Sequence, residues 1–180
     1  MNVAVFCGSA KGKSDTYLKM AQELAEAFKK NEFDLVYGGA SVGVMGTLAD
    51  ACLARGRKVL GVIPKSLVDW ELAHENLTDL VVVDTMHKRK EIMYLRSSAF
   101  VVIPGGFGTL DECFEILTWA QLKLHAKPVF ILNHNGFYDF LREHINRAQQ
   151  EGFISAQHVA LLQFVDNIES LEKSLVKLKV

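Results

Sequence analysis

Short runs of β-branched residues alternate with helix-spaced segments along the chain, and this alternation constrains the fold more than any other feature. The runs at 3–6, 34–37, 58–63, 80–83, 99–103 and 128–132 are apolar at nearly every position. They lack the in-out period of a half-exposed strand and read as strands buried on both faces. Between them lie predicted helices at 14–30, 44–55, 86–97, 109–123, 137–151 and 168–177. In the first of these, Tyr17, Met20, Ala21, Leu24 and Phe28 recur at helical spacing. The stretch 65–77 is polar and reads as irregular. The pattern predicts an α/β protein: a Rossmann-like, doubly wound parallel sheet with helices on both faces. The length of 180 residues suits one domain over 1–180.

Such sheets bind ligands beyond the carboxyl ends of their strands. Four strands here end in unusual residues: Cys7-Gly8-Ser9, Gly38-Gly39, Thr85-Met86-His87 and Pro104-Gly105-Gly106. In a parallel sheet all four emerge on one rim. The last of them opens the nonapeptide Pro-Gly-Gly-Phe-Gly-Thr-Leu-Asp-Glu at 104–112, a turn between a strand and a helix. Unpaired N–H groups and the positive end of the helix dipole make that turn an anion site, most often for phosphate. The glycine pattern is not the dinucleotide G-x-G-x-x-G, and it lacks the lysine of a Walker loop.

Glu112 has two readings. Thr109-Leu110-Asp111-Glu112 has the spacing of a capping box, which is the plainer account of the spacing by itself. Alternatively, its carboxylate acts on whatever the phosphate anchors. Two first-turn carboxylates would repel a phosphate, so the second reading needs a cation. His87-Lys88-Arg89-Lys90 supplies one. Basic residues at a helix start oppose the dipole and call for an anionic partner. Arg89, Met93 and Arg96 share a helical face. The segment 38–46 holds four glycines among small and apolar residues, which argues for close backbone approach to a ligand or partner. Ser9 offers a hydroxyl on the same rim. Glu71 reads from spacing alone as a surface acid.

The formal net charge of −1 gives no basic field for nucleic acid, and no apolar run is long enough to span a membrane. Cys7, Cys52 and Cys113 lie far apart in apolar settings, which suits a reducing compartment. The chain opens into a strand rather than a signal peptide, so a cytoplasmic location is expected. The six histidines show no metal-ligand spacing, and no metal or cofactor is expected.

Gly-Gly-Ala-Ser-Val-Gly-Val-Met-Gly at 38–46, Met-His-Lys-Arg-Lys at 86–90 and the nonapeptide at 104–112 together resemble the LOG ("Lonely Guy") family of cytokinin riboside 5′-monophosphate phosphoribohydrolases. The family patterns P-G-G-x-G-T-x-x-E and M-H-x-R-K are matched at every fixed position. Ala40 departs from the glycine common there. The resemblance implies hydrolysis of the N-glycosidic bond of N6-modified AMP, and AMP itself as a further substrate. It places Arg89 and Glu112 as the catalytic pair, with Gly106, Gly108 and Thr109 as the phosphate turn and Lys90 beside the arginine in the substrate site. It adds Glu71 and Thr118 as further substrate contacts. Met86, Phe107, Leu110 and Asp111 within the motifs, with Gly38, Gly39 and Ser9, complete the candidate substrate-binding set. A homodimer is expected from the family and from the apolar surface of helices 44–55 and 109–123. A non-catalytic nucleotide sensor or carrier of the same fold is the alternative. Family members are often labelled lysine decarboxylases, yet no lysine here sits in a recognisable pyridoxal phosphate site.

Overall fold

The computed structural model describes residues 1–71 and 73–179, with side chains described outside 69–71. Seven strands form one sheet: β1 (Asn2–Phe6), β2 (Asp34–Tyr37), β3 (Val59–Pro64), β4 (Asp79–Val83), β5 (Ala99–Val102), β6 (Val129–Leu132) and β7 (Leu162–Val165). Their order is β4-β3-β2-β1-β5-β6-β7, and every neighbouring pair is parallel. The helices are α1 (Thr16–Lys30), α2 (Gly43–Ala54), α3 (Lys65–Glu71), α4 (Met86–Leu95), α5 (Phe107–Gln121), α6 (Asp139–Gln150), α7 (Ala156–Val159) and α8 (Ile168–Val176). The expected doubly wound α/β sheet is therefore present.

Strand alternation divides the interior into two cores. Val3 and Val5 of β1 and Val101 of β5 pack with Met20, Leu24 and Phe28 of α1, Leu48 of α2 and Leu171 of α8. Ala4, Phe6, Phe100 and Val102, one position out of phase, pack with Met93 of α4, Cys113 and Ile116 of α5 and Ile145 of α6. Phe6 and Phe100 stack across β1 and β5 with centroids 5.9 Å apart. With both faces covered, every strand position of β5 is buried, which explains its unbroken apolar run.

Several boundaries differ from the expected ones. Residues 65–71, read as irregular, form α3. The segment 156–165, left unassigned, holds α7 and the edge strand β7. α5 begins at Phe107, two residues before the expected start, with Gly106 as its N-cap. Thr109 is thus inside the first turn rather than at the cap, and the capping box read at 109–112 is not formed.

The strand order reverses at β1. The chain moves outward through β2, β3 and β4, then α4 returns it to β5 on β1's other side. The crevice at that switch point lies between the carboxyl ends of β1 and β5. The Gly8 N–H donates to the Pro104 carbonyl at 3.3 Å there. Side chains would pry the two loops apart: a β-carbon on Gly105 would lie 2.7 Å from the Gly8 nitrogen and would collide with the Thr109 hydroxyl.

Candidate active site

A cavity of about 270 Å³ opens at this switch point. Its wall takes Cys7, Gly8 and Ser9 from the end of β1, Met45 from α2, Leu67 from α3, Met86 and Arg89 from α4, and Gly106–Thr109, Asp111 and Glu112 from α5. Elements remote in sequence supply every side because the sheet topology brings their strand ends together.

The part whose geometry suits an anion is the start of α5. Phe107, Gly108 and Thr109 are its first three residues, and the first hydrogen bond back along the helix is from the Leu110 N–H to the Gly106 carbonyl. The N–H groups ahead of it therefore point out of the helix end. β-Carbons built on Gly106 and Gly108 meet nothing within 4 Å. Those glycines face open cavity rather than protein. The first turn carries no acidic residue. The repulsion expected between a phosphate and two first-turn carboxylates is thus relieved, because the early start of α5 puts Asp111 and Glu112 in its second turn.

Both carboxylates also have cations. Arg89 Nη2 lies 3.4 Å from Glu112 Oε1, and the residues are only 4% and 5% exposed. The Arg89 guanidinium passes against the end of β2, where a β-carbon on Gly38 would overlap it. Its other terminal nitrogen lies 3.6 Å from the Met86 sulfur. Lys90 Nζ sits 3.0 Å from Asp111 and 2.5 Å from Glu115. Thr85 caps α4 by accepting from the Lys88 N–H at 3.1 Å. Two of the basic residues at the start of α4, Arg89 and Lys90, are thus matched by carboxylates of α5, while the exposed Lys88 pairs with Glu91 of its own helix at 2.9 Å. Cys7, buried beside the pair, has its thiol pushed far up, first by burial and then by the Glu112 charge, with Arg89 opposing. At neutral pH it is a neutral wall.

The other candidates fall in different places. Lys90, Leu110, Thr118, Gly38 and Gly39 lie outside the cavity wall. Leu110 packs on the α4–α5 core, and the Thr118 hydroxyl donates to the Phe114 carbonyl at 2.7 Å. Gly38 is buried behind the wall, where it admits Arg89. The close approach read from the 38–46 glycines is thus largely to the protein's own chain: Gly43, at φ +63°, lies against the Ser9 carbonyl. Ala40 is fully buried, bridges Ala73 and accepts from the Tyr37 hydroxyl. Its methyl belongs to the core. Arg96 is exposed at the end of α4, and Met93 is core. The side chain of Glu71 lies outside the described residues. Leu67 is the wall residue the sequence reading missed, since no periodicity marked α3 as a helix. Among the described residues, no group of three His, Cys, Asp or Glu is placed to hold a metal ion.

The family described as "possible lysine decarboxylase" matches residues 45–175. The cytokinin riboside 5′-monophosphate phosphoribohydrolase LOG2 of Arabidopsis thaliana is 47% identical over 154 residues, 86% of this chain and 72% of that protein. The chain belongs to the LOG family. Another LOG relative, the probable cytokinin riboside 5′-monophosphate phosphoribohydrolase LOGL9 of Oryza sativa subsp. japonica, is 44% identical over 173 residues, 96% of this chain and 76% of that protein. The fold extends beyond LOG proteins. The molybdenum cofactor carrier protein of Chlamydomonas reinhardtii superposes with a TM-score of 0.72 at 20% identity, covering 99% of this chain and 97% of that one. The molybdenum cofactor binding protein of Rippkaea orientalis gives 0.72 at 22% over the same shares. The decarboxylase label finds no amine to support it at Lys90, whose ammonium is tied to two carboxylates; Schiff-base chemistry needs a free amine.

Proposed function

We propose that this chain hydrolyses the N-glycosidic bond of a nucleoside 5′-monophosphate, with N6-modified AMP as the substrate class and AMP as a further substrate. The products are the free base and ribose 5-phosphate. The observation that carries this reading is the buried Arg89–Glu112 pair one turn along from an open helix N-terminus. The N–H groups of Phe107, Gly108 and Thr109, with the Ser9 hydroxyl, hold the phosphate. That remote contact fixes the ribose against Glu112. As the base departs, positive charge builds on the sugar, and the Glu112 carboxylate stabilises it and orients the attacking water. The water oxygen bonds to the anomeric carbon as the carbon–nitrogen bond breaks; the water gives up one proton, with the Glu112 carboxylate as acceptor, and the departing base takes up one, so the proton count is unchanged. Arg89 holds Glu112 in place and contacts the phosphate or the ribose hydroxyls. Met86 and the 94% exposed Phe107 stand at the mouth of the site on the substrate's path.

The test is a side-by-side assay of ribose 5-phosphate release from AMP and isopentenyl-AMP. A carrier of the same fold would bind either nucleotide and release nothing. We further place the enzyme in the cytosol, on the strength of three buried free cysteines; no helix among the described residues is long and apolar enough to cross a membrane. A homodimer is the second part of the reading. Of the two helices expected to carry surplus apolar surface, α2 spends it in the core. α5 and the turn after it leave Phe114, Leu122 and Leu124 40%, 62% and 64% exposed beside an apolar groove. A monomeric mass in solution would remove the dimer from the proposal.

A further inference from the structure

Between the end of β5 and the start of α5, backbone groups are tied off by different elements in turn. The Ile103 N–H donates to the Phe6 carbonyl of β1 at 3.0 Å, and the Pro104 carbonyl accepts from Gly8. Pairing of β5 with β6 ends at Val102 and Ile131. One residue on, the Ile103 carbonyl accepts from the Tyr138 hydroxyl at 3.0 Å. Tyr138 stands just ahead of α6 and is buried. Its own backbone is fixed as well: the Tyr138 N–H donates to Asn133 Oδ1 at 2.7 Å, and the Asn133 amide donates to Asp139 Oδ1 at 2.7 Å. The turn that these contacts hold is hollow on two sides. The cavity already described opens in front of it, and a second cavity of about 260 Å³ opens behind, with Gly8, Ser9 and Gly106 in both walls. Packing holds little of a turn set between two cavities, so its hydrogen bonds decide where it sits.

We propose that Tyr138 is a positioning residue: its hydroxyl, with the Tyr138 backbone pinned by Asn133, holds the Ile103–Gly105 turn and so sets where the phosphate-binding N–H groups of α5 point, without itself touching the nucleotide. This rests on the reading, given above, that the start of α5 receives the phosphate. Tyr138 is in the wall of neither cavity. Burial pushes its phenol up, the Cys113 and Cys7 thiols add to that, and a hydrogen bond with the Gly105 backbone opposes them. The hydroxyl is therefore a protonated donor at neutral pH. The carbonyl it serves belongs to the residue before Pro104, and proline brings no N–H of its own to anchor this step of the chain. Downstream, Gly105 lies against the Thr109 hydroxyl and the Gly8 nitrogen. A shift at Ile103 is thereby carried into the first turn of α5. Removing the Tyr138 hydroxyl leaves a buried carbonyl without its donor, and the chain must move to pair it again.

The experiment compares Tyr138→Phe with the parent in the full chain. Calorimetry gives Kd for ribose 5-phosphate and for adenosine, which lacks the phosphate, and steady-state kinetics with AMP runs beside it. For Tyr138→Phe, Kd for ribose 5-phosphate and KM for AMP both rise roughly tenfold. The change in kcat is smaller than the change in KM, because a phosphate contact is made alike in the ground and transition states. Kd for adenosine stays at the parent value. A purely structural role would lower the melting temperature and leave the folded protein's Kd for ribose 5-phosphate unmoved, and that result overturns the proposal. So does a Kd for adenosine that rises as far as that for ribose 5-phosphate, which would mean that the whole cleft has moved. Should Tyr138→Phe not fold, Asp139→Ala reads the same chain of bonds from its exposed end. It frees Asn133 and weakens ribose 5-phosphate by a smaller factor than Tyr138→Phe would, with adenosine unchanged; parent-like binding of ribose 5-phosphate there overturns the proposal. Gly108→Ala run in parallel separates the two ideas. If that variant binds ribose 5-phosphate like the parent, the phosphate is not held at this turn and the reading of the site itself fails. If Gly108→Ala weakens it and Tyr138→Phe does not, that reading stands and the role of Tyr138 alone falls.

Discussion

Gly38 and Arg89 occupy one volume: the space a side chain would need at the end of β2 is filled by the arginine's guanidinium. Gly38→Ala therefore forces Arg89 to move, and Arg89 is the buried partner of Glu112. The far end of an arginine can shift, so the fold should survive with a loss of about 1 kcal/mol. Turnover should drop roughly a hundredfold, the scale expected when a positioning group is displaced by an ångström. Steady-state kinetics beside a thermal melt measures both; a variant with parent-like kcat would mean Arg89 has no positional role.

Glu112→Gln keeps the shape of the side chain and removes its charge. Hydrolysis should be lost while AMP still binds, because the proposed phosphate contacts lie in the previous turn. Calorimetry with AMP and a ribose 5-phosphate assay distinguish the two properties.

Arg89→Ala removes the cation from a carboxylate that is 5% exposed. Binding and turnover should both fall. Stability should drop by a few kcal/mol, as when one partner of a buried pair is deleted. A parent-like Michaelis constant would contradict the assigned contact with substrate.

Gly108→Ala separates folding from binding. A β-carbon there meets no protein atom within 4 Å, and alanine favours the helix by up to about 1 kcal/mol. The melting temperature should hold or rise, while the methyl intrudes where phosphate is placed and raises KM at least roughly tenfold. An unchanged KM would move the phosphate away from this turn.

The three cysteines should resist alkylation in the native protein. Burial pushes Cys52 and Cys113 up to about 12, and Cys7 higher still. The thiolate is the reactive form. Labelling with iodoacetamide at neutral pH should be negligible until denaturant is added, and rapid native labelling of Cys7 would show that its wall opens.

The alternation of strand runs and helices was legible because both faces of the sheet are covered, so strands such as β5 carry no polar position to blur them. The edge strand β7 escaped notice for the opposite reason. It is short, and only Leu162 of its four residues is fully buried. The start of α5 was misplaced because Phe107-Gly108 has poor helix propensity. Tertiary contacts override it: the β1 loop packs on Gly105, and Thr109 is buried against it. That two-residue shift removes the capping box and frees Glu112 for Arg89. The partners of the basic run at 87–90 were not legible, because sequence spacing does not say which helix a side chain faces. Only the packing of α4 on α5 sends Arg89 inward and Lys90 to Asp111 and Glu115.

The return of the chain to β1 has a kinetic consequence. β1 pairs with β5 only after the whole outward half has been made, with Val3 opposite Ala99. The cleft thus depends on a long-range closure of the kind that slows folding. A fragment ending after β4 has the glycines of β2 but neither α4 nor α5, and so lacks the proposed phosphate turn. In refolding, recovery of nucleotide binding should follow the slow phase that docks β5 on β1, lagging any early gain of helical signal.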